Sequence, residues 1–230
     1  MTEVARIQGE YARREAEIPA GFYDLTRPAN YFAHCQLARH IAAMLDRAGL
    51  LPLEGRKIAD IGCGTGNWLL EFIQWGARPE DLFGIDLNPG RIEQARAKIP
   101  GANFEAGDAS QLSLAAGSFD LVSQFTAFSS VLDGSMRRSM ASEMIRILKP
   151  GGAIISYDLR VGNPRNSAVA PISKEAARRL FSGCRIDVKR VTLAPPLARL
   201  TAPRSWMLAS FLERISFLRS HNLMLIRKPA

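Results

Sequence analysis

Residues 57–72, KIADIGCGTGNWLLEF, constrain the fold more than any other part of the chain. Three glycines at alternate positions, Gly62, Gly64 and Gly66, separate an apolar run of strand character from an apolar run of helical character. Glycine accepts positive φ and lets a ligand or another backbone approach without a Cβ in the way. A strand that turns through such a loop into a helix is the opening unit of an α/β sheet. Ligands of these sheets sit outside the carboxyl ends of the strands.

The rest of the chain repeats the alternation. Apolar and β-branched runs predict strands at 57–61, 82–87, 103–108, 119–125, 152–159, 185–194 and 222–229. Helical spacing falls between them at 67–75, 89–98, 135–148 and 173–181. Upstream, 30–48 carries Leu37, Ile41, Met44 and Leu45 at helical spacing, and Gly49 closes it. His34 and His40 lie on that helix and read as structural. Residues 1–28 are mixed, with Tyr11, Phe22 and Tyr23 among charges. Strand and helix in alternation predict a mostly parallel sheet covered on both faces. With no internal repeat or low-complexity linker, residues 1–230 read as one α/β domain, 1–50 forming an N-terminal helical cap.

Composition narrows the setting. No N-terminal apolar segment has signal-peptide length, and no run approaches the ~18 apolar residues of a membrane span; the expected location is cytoplasmic. Cys35, Cys63 and Cys184 are odd in number and unpaired in spacing, as free thiols in a reducing compartment would be. Cys63 sits inside the glycine loop, where a small apolar side chain packs. The net charge is +8, and residues 160–230 hold fourteen Lys and Arg against three Asp and Glu. Such an end suits nucleic acid, an anionic membrane face or an anionic substrate.

Two acids stand at productive distances from the glycine loop. Asp86 closes the second strand, where a carboxylate accepts both hydrogen bonds of a ribose diol, and Asp108 closes the third, in position for an adenine edge. The loop is G-x-G-x-G followed by Asn67, which departs from the dinucleotide pattern G-x-G-x-x-G. Asp60, two residues before the first glycine, adds a negative charge that repels a pyrophosphate and favours a cation.

These segments resemble the class I S-adenosylmethionine-dependent methyltransferases. ADIGCGTGNW is similar to their first motif, GIDLNP to the second, EAGDAS to the adenine-contacting third, FDLVSQFTAFSSVLD to the fourth, and ILKPGG to the turn before strand five. The resemblance is close over 57–160 and loose beyond. It implies a Rossmann-like, seven-stranded sheet of order 3-2-1-4-5-7-6, with only strand seven antiparallel and a helical insertion at 195–220 between strands six and seven. It also implies S-adenosylmethionine as cofactor, S-adenosylhomocysteine as product, and no metal. Residue by residue, it places Asp60, Gly62, Gly64 and Gly66 around the methionine part, Asp86 on the ribose, Asp108 and Ala109 at the adenine, and Gln124 with Phe125 below the sulfonium. Cys63 and Leu87 are further expected contacts.

Methyl transfer from a sulfonium is an in-line displacement, and orientation alone supplies up to roughly 7–11 kcal/mol in well-aligned cases. An alcohol or phenol acceptor also needs a base. In the implied strand order the segment SYDLRVGNPRN brings Tyr157, Asp158 and Arg160 to the cofactor rim, where strand seven starts at His221. Asp158 and His221 are therefore brought toward one another as a candidate carboxylate–imidazole pair, with Tyr157 on the same rim, the alternative being that Asp158 bonds to local backbone and His221 only terminates a strand. The insertion should cap the acceptor pocket. Its stripe of Leu208, Phe211, Leu212, Ile215 and Leu218 reads as core-facing, against the alternative of a membrane-surface helix suggested by Arg199, Arg204, Arg214 and Arg219. Tyr11, Arg14, Tyr23, Arg27 and Tyr31 should line the opposite wall, Arg27 and Tyr31 as cofactor contacts.

The basic final third and Trp206 make nucleic-acid methylation the main rival. An exocyclic-amine methylase typically carries (N/D/S)-P-P-(Y/F) after strand four, where this chain has SQFTAF; a Pro-Cys pair for cytosine C5 chemistry and a separate RNA-binding module are also missing. A metal-dependent catechol-type site needs clustered acids after strands four and five, where only Asp158 stands. A non-catalytic binder of S-adenosylmethionine and a dinucleotide oxidoreductase remain alternatives. The tail loosely resembles bacterial enzymes of saccharide and secondary-metabolite biosynthesis. The expected activity is O-methylation of a sugar or secondary metabolite, an anionic one given the basic lid. No nucleic-acid partner is expected, a peripheral membrane contact is compatible, and the oligomeric state is open.

Overall fold

The structure, a computed structural model, describes residues 2–162 and 166–229. Seven strands form one sheet: β1 (Ile58–Ile61), β2 (Leu82–Asp86), β3 (Asn103–Ala106), β4 (Phe119–Phe125), β5 (Leu148–Leu159), β6 (Arg185–Leu193) and β7 (Arg219–Arg227). Their spatial order is β3-β2-β1-β4-β5-β7-β6, the Rossmann-like order expected. β1 to β5 run parallel, and β7 runs antiparallel to both β5 and β6. Every residue of β1 is buried, as befits a central parallel strand covered on both faces. Edge strand β6 instead exposes Arg185, Asp187 and Arg190 before its buried last three residues, charges that discourage edge-to-edge pairing.

Helices cover both faces. On one side α2 (Pro28–Arg47), α3 (Asn67–Gln74) and α4 (Pro89–Lys98) press Ile41, Leu45, Phe72 and Ile92 against Ile58, Leu82, Leu121 and Leu225. On the other, α1 (Glu3–Glu17), the single-turn α5 (Ala127–Ser130), α6 (Gly134–Ile147) and α7 (Lys174–Leu180) contribute Ile7, Phe128, Met144 and nearby Phe181 against Ala59, Val122, Ile154 and Ile226. The insertion folds as α8 (Pro195–Thr201) and α9 (Trp206–Arg214), and a satellite core of Ala198, Ala202 and Ala209 joins them to Phe32 of α2 and Leu193 of β6. Among the described residues no helix is long and apolar enough to cross a membrane.

The departures from expectation have physical causes. Helix α1 occupies sequence that read as mixed, because only Ile7 of its fifteen residues is buried. Its support is charge pairing along one surface, with Glu10 bound by Arg13 (2.8 Å) and Arg14 (2.7 Å), and Thr2 accepting a capping bond from the Ala5 amide. Strand β7 opens at Arg219, so His221 is its third residue. The expected apolar stripe of α9 does not face inward as a whole. Ala209 and Glu213 are buried, Leu212 is half-buried, and Leu208 and Phe211 are 46% and 62% exposed. The Glu213 carboxylate sits 3.2 Å from His40 Nε2 on α2, and that contact sets the rotation of the helix. Residues 163–165 of the SYDLRVGNPRN segment lie outside the described residues.

Candidate active site

At the carboxyl ends of β1, β2, β4 and β5 the sheet opens into a cleft of about 1530 Å³. A slot of about 40 Å³ leads off it, and Tyr11, Gly62, Asp86 and Ala127 border both spaces. Leu87, Ala109, Val131, Met136 and Met140 give the slot apolar walls, while Asp86 supplies a carboxylate at its mouth. An apolar recess with an acid at its entrance suits one edge of a purine, with the rest of a nucleoside lying in the larger cleft.

The glycine turn builds this mouth in an unexpected way. Its amides do not face the cleft as donors. The Gly62 and Cys63 N–H groups donate to Ile85 O at 2.8 and 3.0 Å, Gly64 N–H to Asp86 Oδ2 at 2.9 Å, and Gly66 N–H to Cys63 O at 3.0 Å. With these four amides committed inside the protein, Gly62, Cys63, Gly64 and Gly66 add no free donor to an anion-binding nest of the kind a pyrophosphate uses. It holds Asp86 in place instead, with help from the Asn88 amide, which donates to Oδ1 at 2.9 Å. Each carboxylate oxygen keeps capacity for a further hydrogen bond. Cys63 is buried under Gly84 and Phe104, and burial pushes its thiol pKa up, consistent with packing. Gly66, with φ 79°, leads into α3 and packs near Ile99, away from the cleft lining.

Several expected contacts turn inward. Asp60 is buried, receives a hydrogen bond from Ser123 Oγ at 2.7 Å, and does not line the cleft. Burial pushes its pKa up to about 7, with repulsion from Asp86 adding to the rise, and of the two acids only Asp86 lines the cleft. Gln124 is also fully buried. Its Oε1 accepts from the Ala127 amide at 2.9 Å, and its Nε2 donates to Ser156 Oγ at 2.6 Å and to Asp158 Oδ2. Asp108 accepts from the Ser110 amide at 2.8 Å and closes a turn, leaving its neighbours Gly107 and Ala109 to form the slot wall. Phe125 does line the cleft, stacked at 4.2 Å on Trp68, a residue the sequence reading did not single out.

The expected carboxylate–imidazole pair does not form. In the β5–β7 ladder Asp158 lies opposite Asn222, and His221 lies opposite Leu159. Opposed residues share a face and successive residues alternate, so Asp158 and His221 leave opposite sides of the sheet. Asp158 is fully buried, accepts from the Ser129 amide at 2.9 Å, and is raised by burial to about 7. His221 lies instead on the cleft, its ring stacked 4.6 Å from that of Tyr157 and nearly parallel to it, at 7°. Its Nδ1 meets Ser220 Oγ at 2.8 Å, and among the described residues Nε2 has no hydrogen-bond partner. Burial lowers its pKa to about 4, which keeps the ring neutral near pH 7. The Tyr157 hydroxyl pairs with Thr192 Oγ1 at 2.9 Å, and burial pushes the phenol pKa up.

The outer walls also differ from expectation. Arg27 turns away to donate to Gly21 O at 2.7 Å, and Tyr31 packs against Trp206, 49% exposed; neither lines the cleft. Tyr11, Arg14 and Tyr23 do line it, as do Arg160, Pro195 and Arg199. The insertion thus contributes to the cleft wall through α8 and through Phe217 and Leu218 at its other end. Backbone strain concentrates here too: Thr126 and Thr192, β-branched residues at φ 63° and 66°, both border the cleft. Met136 and Met140 of the slot were missed because their helical spacing gives a buried face without saying which part of it stands clear of the sheet. Among the described residues no group of three His, Cys, Asp or Glu is placed to hold a metal ion.

Comparison with known proteins agrees with this geometry. Residues 58–152 match the methyltransferase domain family. The chain is 34% identical over 126 residues to a phthiotriol/phenolphthiotriol dimycocerosates methyltransferase of Mycobacterium leprae, covering 54% of this chain and 45% of that protein. It is 31% identical over 153 residues to a demethylmenaquinone methyltransferase of Beutenbergia cavernae, covering 66% and 56%. The chain therefore spans about half the length of these curated relatives. In fold it resembles the crystal structure of a putative sarcosine dimethylglycine methyltransferase from Galdieria sulphuraria, with a TM-score of 0.62, 16% identity, and coverage of 85% of this chain and 86% of that one. Sheet order, glycine turn and relatives agree: residues 58–152 match a methyltransferase domain, and the chain is similar to the S-adenosylmethionine-dependent methyltransferases.

Proposed function

We propose that the chain transfers the methyl group of S-adenosylmethionine to an oxygen of a small-molecule acceptor bound in the cleft. The observation that carries this reading is a neutral imidazole, His221, standing on the same cleft that receives the nucleoside slot.

The residues present fit the cofactor. Asp86 would take the ribose hydroxyls, and Leu87, Ala109, Val131, Met136 and Met140 the adenine. Tyr11 and Arg14 border the same mouth, where Arg14 suits the methionine carboxylate. When bound, S-adenosylmethionine supplies an electrophilic methyl group on a sulfonium. The chain's own part is to orient the acceptor and remove its proton. Phe125, backed by Trp68, gives a rigid aromatic wall, and Tyr157 fixes the plane of the His221 ring by stacking. With Nδ1 held by Ser220, Nε2 is the nitrogen that accepts the proton.

A base with so low a pKa works best on an acceptor that is itself acidic. A phenol or enol satisfies that requirement better than the aliphatic hydroxyl of a sugar. The cleft is larger than the roughly 300–1,000 Å³ of common ligand pockets, leaving room for an acceptor with a substantial apolar body. The two relatives named for a phenolphthiotriol dimycocerosate and for demethylmenaquinone are compatible with such an acceptor.

Turnover of a panel of phenolic acceptors with labelled cofactor tests the assignment. His221→Ala should lower the rate about 10²–10⁴-fold while calorimetry shows S-adenosylhomocysteine bound as in the parent. An unchanged rate with any accepted phenol would remove His221 as the base.

A further inference from the structure

We propose that the outer face of the α8–α9 lid docks the protein on an anionic lipid bilayer. The inference begins with the rotation of α9. Its cap is Ser205, whose Oγ accepts from the Leu208 amide at 3.1 Å, and its inward residues are Ala209 and Glu213. At 100° per residue the opposite face is then Met207, Leu208, Phe211 and Arg214. Met207 is 83% exposed and Phe211 62%, and elsewhere on the lid Leu200 of α8, at 57%, and Phe217 after α9, at 76%, add exposed apolar surface. Isolated exposed apolar residues are ordinary, whereas a cluster of large ones on one face marks an interaction surface.

Charge selects the occupant. Between residues 195 and 219 the charged side chains are Arg199, Arg204, Arg214, Arg219 and Glu213. Glu213 is buried against His40, so this face carries no exposed carboxylate. Arg219 is tied to the carbonyls of Glu213, Arg190 and Arg214, while Arg204 and Arg214 stand exposed at the edges of the apolar cluster. A second copy applied through the same face would set these arginines against their own equivalents. A nucleic acid would answer the arginines and leave Met207, Phe211 and Phe217 without a partner. An anionic bilayer answers both, with apolar side chains in the acyl boundary and guanidinium groups at the phosphates.

The position of the face supports the same occupant. Arg199 and Phe217 border the cleft as well as the lid surface, and Arg199 lies over the Phe22 ring of the opposite wall at 5.7 Å. Docking through this face would set the cleft mouth against the lipid surface. The proposal stands apart from methyl transfer, since it concerns a surface outside the nucleoside slot.

Co-sedimentation with vesicles tests it, using phosphatidylcholine alone and phosphatidylcholine mixed with phosphatidylglycerol. The parent protein should sediment with the mixed vesicles, stay in solution with phosphatidylcholine alone, and be released at about 1 M salt, where the Debye length falls to about 3 Å. The double variant Met207→Glu, Phe211→Glu should reduce sedimentation at least about tenfold while keeping the parent's melting temperature and affinity for S-adenosylhomocysteine. Arg204→Gln with Arg214→Gln, changed only at exposed positions, should lose the dependence on phosphatidylglycerol, and it decides the matter if the first variant fails to fold. A parent that ignores mixed vesicles, or binds both vesicle types equally, overturns the proposal. So does a parent dimer in light scattering that the variants convert to monomer without any vesicle binding.

Discussion

Gly62 and Gly64 share a left-handed backbone, φ 72° and 55°, and differ in what a side chain would meet. A Cβ on Gly64 touches nothing within 4 Å, so alanine there pays only the conformational strain of about 1–2 kcal/mol. A Cβ on Gly62 would stand 2.9 Å from Ala127 Cβ, at the place where the two walls of the nucleoside mouth meet. Gly64→Ala should therefore lower stability by about 1–2 kcal/mol with S-adenosylhomocysteine affinity within a few-fold of the parent. Gly62→Ala should lose more stability and at least about tenfold in affinity, because either Ala127 or the turn must move. Thermal melts and calorimetry read both quantities, and equal effects of the two substitutions would contradict this reading of the turn. The same scale shows what the sequence left hidden. Spacing put Asp60, Gln124 and Asp158 near strand ends, but alternate residues of a strand leave opposite faces, and these three turn into the packed layers. Asp86, Leu87, Ala109 and Phe125 turn toward the open space.

Helix α5 is a single turn, too short to be stable by itself. Its leading residue Thr126 supplies no side-chain cap, and buried groups of the sheet replace it. Gln124 Oε1 accepts from the amides of Ala127 and Phe128, Asp158 Oδ1 accepts from the amide of Ser129, and Arg137 Nε donates to the carbonyls of Phe128 and Val131. These bonds place Ala127 against Gly62, so Asp158 positions the cleft wall without touching it. The two amides fix the orientation of Gln124, whose Nε2 must then face Asp158. Asp158→Asn presents an amide NH₂ to that donor, at a cost of about 1–3 kcal/mol for an unsatisfied buried group. The pH dependence follows from the raised pKa. Asp158 titrates near 7 in the folded protein and near 3.8 unfolded, so its protonated form contributes stability fully below pH 3.8, and that contribution is lost as pH rises through 7. The deficit of Asp158→Asn against the parent should shrink between pH 5 and pH 8 in urea unfolding; a deficit that stays constant would place the pKa elsewhere. None of this was legible beforehand, because α5 follows β4 as four residues with no periodicity of their own. Helix α1 was hidden for the opposite reason, its periodicity being written in charge pairs instead of apolar residues.

At the scale of the whole molecule, the parallel sheet was legible from the alternation of strand and helix, and its order from the motifs at successive strand ends. The walls of the cleft were legible only as segments. Arg27 and Tyr31 were expected inside because they lie in the right segment, yet Gly21 O, six residues back, and Trp206, in the distant lid, hold them outside, and neither contact leaves a periodic pattern in the sequence. The lid shows the same limit: its apolar spacing was visible, but the buried contact between Glu213 and His40 decides which residues face out. What unites the layers is the notch after β1, where the turn directs its amides inward and leaves Asp86 as the charged group at a nucleoside mouth. Calorimetric titration of S-adenosylhomocysteine and of NAD into the purified protein examines that notch directly. One-to-one binding of S-adenosylhomocysteine with no heat from NAD is the predicted result; no affinity for S-adenosylhomocysteine, or binding of NAD in its place, would contradict it.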